Sequence, residues 1–531
     1  MVDTAFRICA GSDAHALLAS EPFMARWHGL YERCPWATAG QHPEFARCWY
    51  RVYQQRETPV IAYEERGQEL AGLIALYGSE GQLAHVGRND CEYHVWLALP
   101  EHDLSFMPAA IAALDQAFGY TSLELDLLPP DTPLGWLDGE SNAAQRCELG
   151  ETTRRIVRVS DPEFVTSYVR SKSRLRTSMN KLKRTGAVRF YRAADAAAIR
   201  RVLSACVPLL EFRKGAVYGK LPFRDEPLRH EFLLAQAEVP GLLHVTALER
   251  DGEVLAAHIA TAGRRELSIA GIVHSEFEAR HSPGALLILE LISLVGQEGR
   301  ELLDFTPGDG EYKERFATET EPVYTLTVHS TRLGRELQRA LASGTRVAKY
   351  VGQRLPGAVR RPMREIWTKF GIGAEGSEPP PGAFSPNFQE LLVTAGSTPT
   401  TASPPVDTTG SWASNAIVDL VLYSGERSAY LELLRCALDY IRLGAQMYTR
   451  TSKGVLQAAC FVLPVDASTQ PGSPPAIVAC ELGRGGSTPL RAEWSQELSL
   501  LLGPEARKTQ HHQPAPFPAG GDGSRRARDV E

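Results

Sequence analysis

LSIAGIVHSEFEARHSPGALLILELISLVGQEGRELLDFTPGDGEYKERF, residues 267–316, reads as a strand, a loop, a buried helix, a second strand and a glycine turn crowded with ionisable side chains. The chain leaves a sheet, returns to it and presents chemistry at the return, the order of an α/β ligand site. Ser282 is a favourable N-cap and Pro283 suits the first helical position, where its missing N–H costs nothing. Gly284, Ala285 and Leu286 complete a first turn whose small leading residues give a phosphate access to free amides, and the helix dipole favours an anion there. An ordinary capped helix accounts for the same residues.

In the strand Leu302–Thr306, alternation places Leu302, Asp304 and Thr306 on one face and Leu303 and Phe305 on the other. A carboxylate in mid-strand needs a reason: Asp304 is either bonded structurally or part of a site. Gly308, Asp309, Gly310, Glu311, Tyr312, Lys313 and Arg315 follow at once, a polar turn that packing alone does not require.

Outward from this stretch, Val60–Tyr63 and Leu70–Tyr77 flank an Arg66-Gly67 turn as a hairpin, Leu83–Val86 is a third strand, and Phe106–Phe118 is a helix leading into the strand Leu123–Leu127. Leu125-Asp126-Leu127-Leu128-Pro129 echoes Leu303-Asp304-Phe305-Thr306-Pro307, which suggests an internal duplication in which only the second copy keeps the ionisable turn. Residues 168–192 hold nine basic side chains and no acid. Leu175, Met179 and Leu182 give an amphipathic helix ending at Gly186, its basic face either plainly solvated or a platform for anions. His258 lies in the strand Val254–Ala262, as a packed histidine or a base. Trp27, Tyr31, Trp36, Trp49 and Tyr50 read as core aromatics that an acceptor site could also use.

The combined pattern HSPGALLILELI with LLDFTPGDGEYKERFA resembles the acetyltransferase family associated with cellulose biosynthesis, of the GNAT superfamily and related to the Fem-type peptidyltransferases. The resemblance covers roughly residues 155–330 and rests on Ser282 to Gly284, Asp304, Phe305, Gly308, Asp309, Tyr312, Lys313 and Phe316. It implies a mixed α/β (α+β) fold of tandem GNAT-like halves with partly antiparallel sheets. It also implies an N-acyltransferase using acetyl-CoA or another acyl-CoA, without a metal, on an amine acceptor. The pyrophosphate would sit at Arg280, Ser282, Gly284, Ala285 and Leu286, although Arg280–Ala285 departs from the usual spacing of that superfamily's loop. Asp304 or His258 would be the base or position the acceptor, Tyr312 would protonate the leaving sulfur, and Lys313, beside Asp309, would contact phosphate or carbonyl. A Fem-type aminoacyl-tRNA-dependent transferase and a catalytically silent scaffold among exopolysaccharide-synthesis proteins are the alternatives.

At 531 residues the chain exceeds one core. The reading divides it into a degenerate half over 1–150, a catalytic half over 155–330, a helical extension over 331–370, a Pro/Ser/Thr/Gly linker over 371–412, a small α/β domain over 413–503 and a disordered tail over 504–531. A net charge of −6 gives no global sign of a DNA partner. Nine scattered cysteines without a Cys-x-x-Cys pair, no apolar leader and no transmembrane segment point to a cytoplasmic protein with reduced thiols.

Overall fold

The computed structural model describes residues 4–331, except 80, 81, 89, 119, 121 and 270, together with 411–462, 477–483 and 486–488. The extension, linker and tail expected over 331–370, 371–412 and 504–531 otherwise lie outside these residues. The described residues fall into two compact units, one within 1–203, 227–273 and 281–374, the other within 204–226, 274–280 and 375–531.

One order of elements occurs twice between residues 4 and 307. The first pass runs β1 (Thr4–Ala10), α1 (Ser12–Ala19), α2 (Glu21–Arg33), α3 (Pro43–Tyr53), β2 (Thr58–Arg66), β3 (Glu69–Ser79), β4 (Gln82–His85), β5 (Leu97–Ala98), α4 (Phe106–Ala117) and β6 (Ser122–Leu128). After β7 (Cys147–Arg158), α5 (Pro162–Ser171) and α6 (Ser173–Lys183), the second runs β8 (Val188–Arg192), α7 (Ala196–Tyr218), α8 (Leu228–Ala237), β9 (Leu243–Arg250), β10 (Glu253–Thr261), β11 (Glu266–Ser268), β12 (Gly271–His274), α9 (Pro283–Gln297) and β13 (Leu302–Pro307). Each pass is a strand, helices, a hairpin, a further strand, a helix and a return strand. Each return is parallel: β6 lies beside β4 and β13 beside β11. The duplication suggested by the two Leu-Asp strands is thus a repeat of topology.

The repeats exchange their last strands. β7 follows the first repeat yet pairs with β13 of the second, and β14 (Glu319–His329), reached through the short helix α10 (Glu311–Phe316), pairs with β6 of the first. Because β7 and β14 pair with each other from Cys147–Val328 to Ile156–Glu319, one ten-stranded sheet joins the repeats. A second sheet runs β12-β10-β9-β8.

α9 fills the core of the second repeat. Leu286, Leu287, Leu291, Ile292 and Val295 are buried against Val157, Leu267, Leu303 and Phe305, each contributing roughly 1.5–3 kcal/mol of transfer free energy. The core of the first repeat buries Trp27, Tyr31, Trp36, Trp49 and Tyr50, so these aromatics are packing residues.

Two local expectations fail for identifiable reasons. The basic stretch is not one helix: Lys172, at φ −80° and ψ 55°, breaks it into α5 and α6, and β8 begins at Val188. The break lets Val165 of α5 and Leu175 and Leu182 of α6 all be buried in the core that α9 fills. Ser282 does precede the helix but sits in the left-handed region (φ 53°) and makes no side-chain cap; its carbonyl accepts from the amides of Ala285 (3.0 Å) and Leu286 (3.1 Å) instead.

The second unit holds β15 (Ser411–Ser414), α11 (Ile417–Leu420), α12 (Arg427–Arg442), β16 (Gln446–Ser452), β17 (Val455–Val462), β18 (Ile477–Gly483) and β19 (Gly486–Thr488), the strands forming an antiparallel meander in chain order. Its core is shared with Phe212, Ala216 and Leu221. Ile417–Leu420 makes the single turn of helix α11. Asn415, at φ 52°, bends the chain and accepts from the Met447 amide, and Ile417 and Leu420 are buried at helical spacing.

Candidate active site

Strand register fixes which side chains stand together. Paired residues share a face, and β14, β7, β13 and β11 lie side by side. Glu321 pairs with Arg154, Ile156 with Asp304, and Asp304 with Ser268. Glu321, Arg154, Asp304 and Glu266 therefore form a row across one face, while Val157, Leu303, Phe305 and Leu267 face the α9 core. Tyr93, from the segment between β4 and β5, reaches the row from the first repeat.

Asp304 is fully buried. One carboxylate oxygen accepts from the Tyr93 hydroxyl and from Arg154 Nη1 at 3.0 Å, and the other accepts from the Thr306 amide at 2.7 Å. Arg154 also donates to Glu266 at 3.1 Å and, through Nη2 and Nε, to Glu321 at 2.8 and 3.1 Å, with its guanidinium 5.5 Å from the centre of the Tyr93 ring. One guanidinium thus serves three carboxylates in a poorly solvated place.

The ionisation pattern follows. Burial pushes the Asp304 carboxyl up from its ordinary value, and Arg154 and Tyr93 pull it back in part. Burial likewise pushes Glu266 up to about 7, against the pull of Arg154 and with the help of the Asp304 charge. The folded chain then retains a proton that the unfolded chain has lost. This contribution to stability is full below about pH 4.5 and disappears as the pH rises to about 7. In Glu266→Gln that slope is expected to vanish, so the variant gains stability on the wild type across this window in urea titrations. A difference that stays constant with pH would contradict the assignment.

β13 ends in a bulge, with Thr306 at φ 59°. Lys313 closes it: Nζ donates to Pro307 O (2.6 Å), Thr306 O (3.1 Å) and Thr306 Oγ1 (3.3 Å), and burial lowers its pKa. Gly308, at φ 107°, takes a conformation few other residues tolerate, and a Cβ there would lie 3.6 Å from Lys313 Nζ. Tyr312 is 41% exposed, its ring centre 6.3 Å from that of Phe305, and Asp309 is exposed at the turn.

His258 stands elsewhere, on β10 in the second sheet. It is fully buried, with Nε2 2.7 Å from Ser268 O and Nδ1 without a partner. Burial, with His244 nearby, lowers its pKa to about 3, which makes it a poor base near neutrality. Ser282 is exposed, Ala285 half-buried, and Gly284 and Leu286 buried in the first turn of α9. Arg280 belongs with the second unit, its side chain 72% exposed. Among the described residues no group of His, Cys, Asp and Glu could hold a metal, and no helix is long and apolar enough to cross a membrane.

Sequence reasoning missed Tyr93, Arg154, Glu266 and Glu321. The rule that singled out Asp304 does not reach Glu266, which is the first residue of β11, but a mid-strand carboxylate such as Asp304 does call for a cation. That cation lies 150 residues from Asp304, on a strand whose pairing is set by the exchange between repeats.

Residues 170–314 match the family model described as an acetyltransferase (GNAT) domain. No curated protein sequence matches the chain. Solved structures similar to it include a tandem GNAT protein from the clavulanic acid biosynthesis pathway (11% identity, 62% of this chain and 99% of that one, TM-score 0.36). L-PGS from Bacillus licheniformis (13%, 62% and 97%, 0.37) and FemX (8%, 52% and 90%, 0.37) are also similar. Residues 170–314 are thus similar to an acetyltransferase domain of GNAT type, within a mixed α/β architecture of two repeats and a smaller C-terminal sheet.

Proposed function

We propose that the protein is an acyl-CoA-dependent N-acyltransferase, transferring an acetyl group to an amine of a small molecule or a cell-envelope polysaccharide precursor by direct attack on the thioester. The observation that carries this reading is the parallel pair β11–β13. It is hydrogen-bonded as far as Ser268 and Asp304, and the chain then crosses to the second sheet as β12. Beyond Asp304, β13 has no described strand partner on that side. Such an opening leaves room for an extended carrier arm beside the strand end, whose own shape is held by Asp304 on the Thr306 amide and by Lys313 on the Thr306 and Pro307 carbonyls. It lies within the residues that match the family model.

In this reading the acceptor ammonium gives one proton to Glu266, the neutral nitrogen attacks the thioester carbon, the carbon–sulfur bond breaks as Tyr312 protonates the departing thiolate, and the nitrogen's surplus proton restores Tyr312. Glu266 suits the base role because it titrates near neutrality and its side chain keeps 14% of its exposure. Asp304, with no exposure, positions Arg154 and Tyr93. Lys313, whose three protons all meet acceptors, holds the strand end in shape, and Asp309 meets the acceptor's ammonium. The first turn of α9, from Ser282 to Leu286, seats the pyrophosphate.

Acetyl-CoA at a hundred times its Kd is expected to stabilise the wild type by about 2.7 kcal/mol, read as a shifted melting temperature. The shift should disappear in Gly284→Asp and in Ala285→Asp, the latter at a half-buried position. No shift in the wild type would overturn the reading. Stabilisation by aminoacyl-tRNA instead would favour a Fem-type transferase, a second reading supported by the exposed, unpaired cations Arg170, Arg174, Arg176, Lys181 and Arg184 on and just after α5–α6.

A further inference from the structure

Charges in the first unit are mostly neutralised locally: Arg154, Arg158, Arg192 and Arg265 each meet one or more carboxylates. The break between α5 and α6 is an exception. A cleft of about 400 Å³ there is lined by Ser171, Lys172, Ser173, Arg174, Leu175 and Arg315, three cations and two hydroxyls with no acid. Lys172 is held in place: Nζ donates to Arg315 O at 2.8 Å and lies 4.5 Å from the Tyr168 ring centre and 5.6 Å from that of Phe316. Burial and the Arg315 charge lower its pKa, so the cleft crowds positive charge without an anion to relieve it.

On the other side of the first turn of α6 lies a groove of about 450 Å³ that shares Ser173 and Leu175 with the cleft. One side of it is apolar, made by Val169, Leu175, Met179, Leu286 and Leu289; the other is polar and carries Arg176, Thr177, Asn180, Lys183 and Glu290. A cationic chamber adjoining a groove with one apolar side matches a ligand with a phosphate at one end and a hydrocarbon or ring body laid against that side at the other.

We propose that the α5–α6 break is a phosphate-binding subsite, and that the phosphate it takes is an ester whose apolar body lies in the adjoining groove. This inference does not depend on acyl transfer, since it concerns binding alone. Two guanidinium groups and an ammonium hold the phosphate oxygens, with Ser173 Oγ as a further donor, while the Met179 and Leu289 side chains cover the apolar body.

Calorimetric titration of the full chain at low ionic strength tests it with inorganic phosphate and octyl phosphate as probes. Inorganic phosphate is expected to bind the wild type and to lose at least ten-fold in affinity in the double variant Arg174→Gln/Arg315→Gln, both of whose positions are exposed. Octyl phosphate is expected to bind the wild type at least ten-fold tighter than inorganic phosphate, and Met179→Glu should remove that gain while leaving inorganic phosphate unaffected. The proposal is overturned if neither probe binds, if the double variant binds phosphate like the wild type, or if octyl phosphate gains nothing over phosphate.

Discussion

Arg154→Met is expected to lower the unfolding free energy by about 3–5 kcal/mol, the effect of removing one partner from a buried ion pair and leaving its counter-charges without compensation. The structure places this substitution at the upper end. Arg154 donates to Asp304, Glu266 and Glu321 at once, and Asp304 has no access to water. Removing the guanidinium leaves three carboxylates on one sheet face. They respond by binding protons, so the loss should be larger at pH above about 7, where Glu266 in the wild type is ionised, than at pH near 4.5. Urea unfolding at several pH values checks both the size and the direction. A loss below about 1 kcal/mol, typical of an exposed pair, would show that the row is not closed to solvent.

Asp304→Asn is expected to reduce turnover roughly a hundred-fold or more, the scale at which small displacements of catalytic groups are felt. The amide keeps the shape but not the charge. With its single carbonyl oxygen toward Arg154 it sets its NH2 against the Thr306 amide, and turned the other way it sets the NH2 against Arg154 and Tyr93, so that Arg154 is drawn to Glu266 and Glu321. Because Asp304 is fully buried and its carboxylate also fixes the Thr306 amide at 2.7 Å, the substitution disturbs the strand end that Lys313 closes. The stability cost is about 3 kcal/mol for a broken buried pair, so turnover must be compared well below the variant's melting temperature. The KM for acyl-CoA is expected to rise as well, since the disturbed strand end is the one proposed to receive the carrier arm. Near-normal turnover would remove Asp304 from the mechanism.

These two residues show what a single sequence carries. Elements decided by neighbours along the chain were legible: the helix Pro283–Gln297 follows its proline and its apolar period, the hairpin of β2 and β3 follows its glycine turn, and the repeated Leu-Asp strands mark the duplicated topology. The polar density after β13 was legible but its form was not: only residues 308–310 make a turn, Glu311–Phe316 is the helix α10, and Lys313 is buried on it against the strand end. The partners of Asp304 were not. Tyr93 lies 211 residues away and Arg154 lies 150, and they meet Asp304 only because β7 and β14 are exchanged between repeats. No periodicity within one strand encodes that register. The break at Lys172 was hidden for a related reason: neither glycine nor proline marks it, and it forms because α5 and α6 both bury apolar side chains in the core around α9. His258 shows the converse, since its residue type suggests a base while its environment, buried with a pKa near 3, withdraws it from titration at neutral pH.

The most direct test of acyl transfer at this site is release of free thiol from acetyl-CoA by the purified protein, with and without a mixture of primary amines, set beside Asp304→Asn. Amine-dependent thiol release by the wild type, reduced a hundred-fold in the variant, is the expected result. Failure of the wild type to release thiol from acetyl-CoA or longer acyl-CoAs with any amine, in a protein that remains folded, would contradict it.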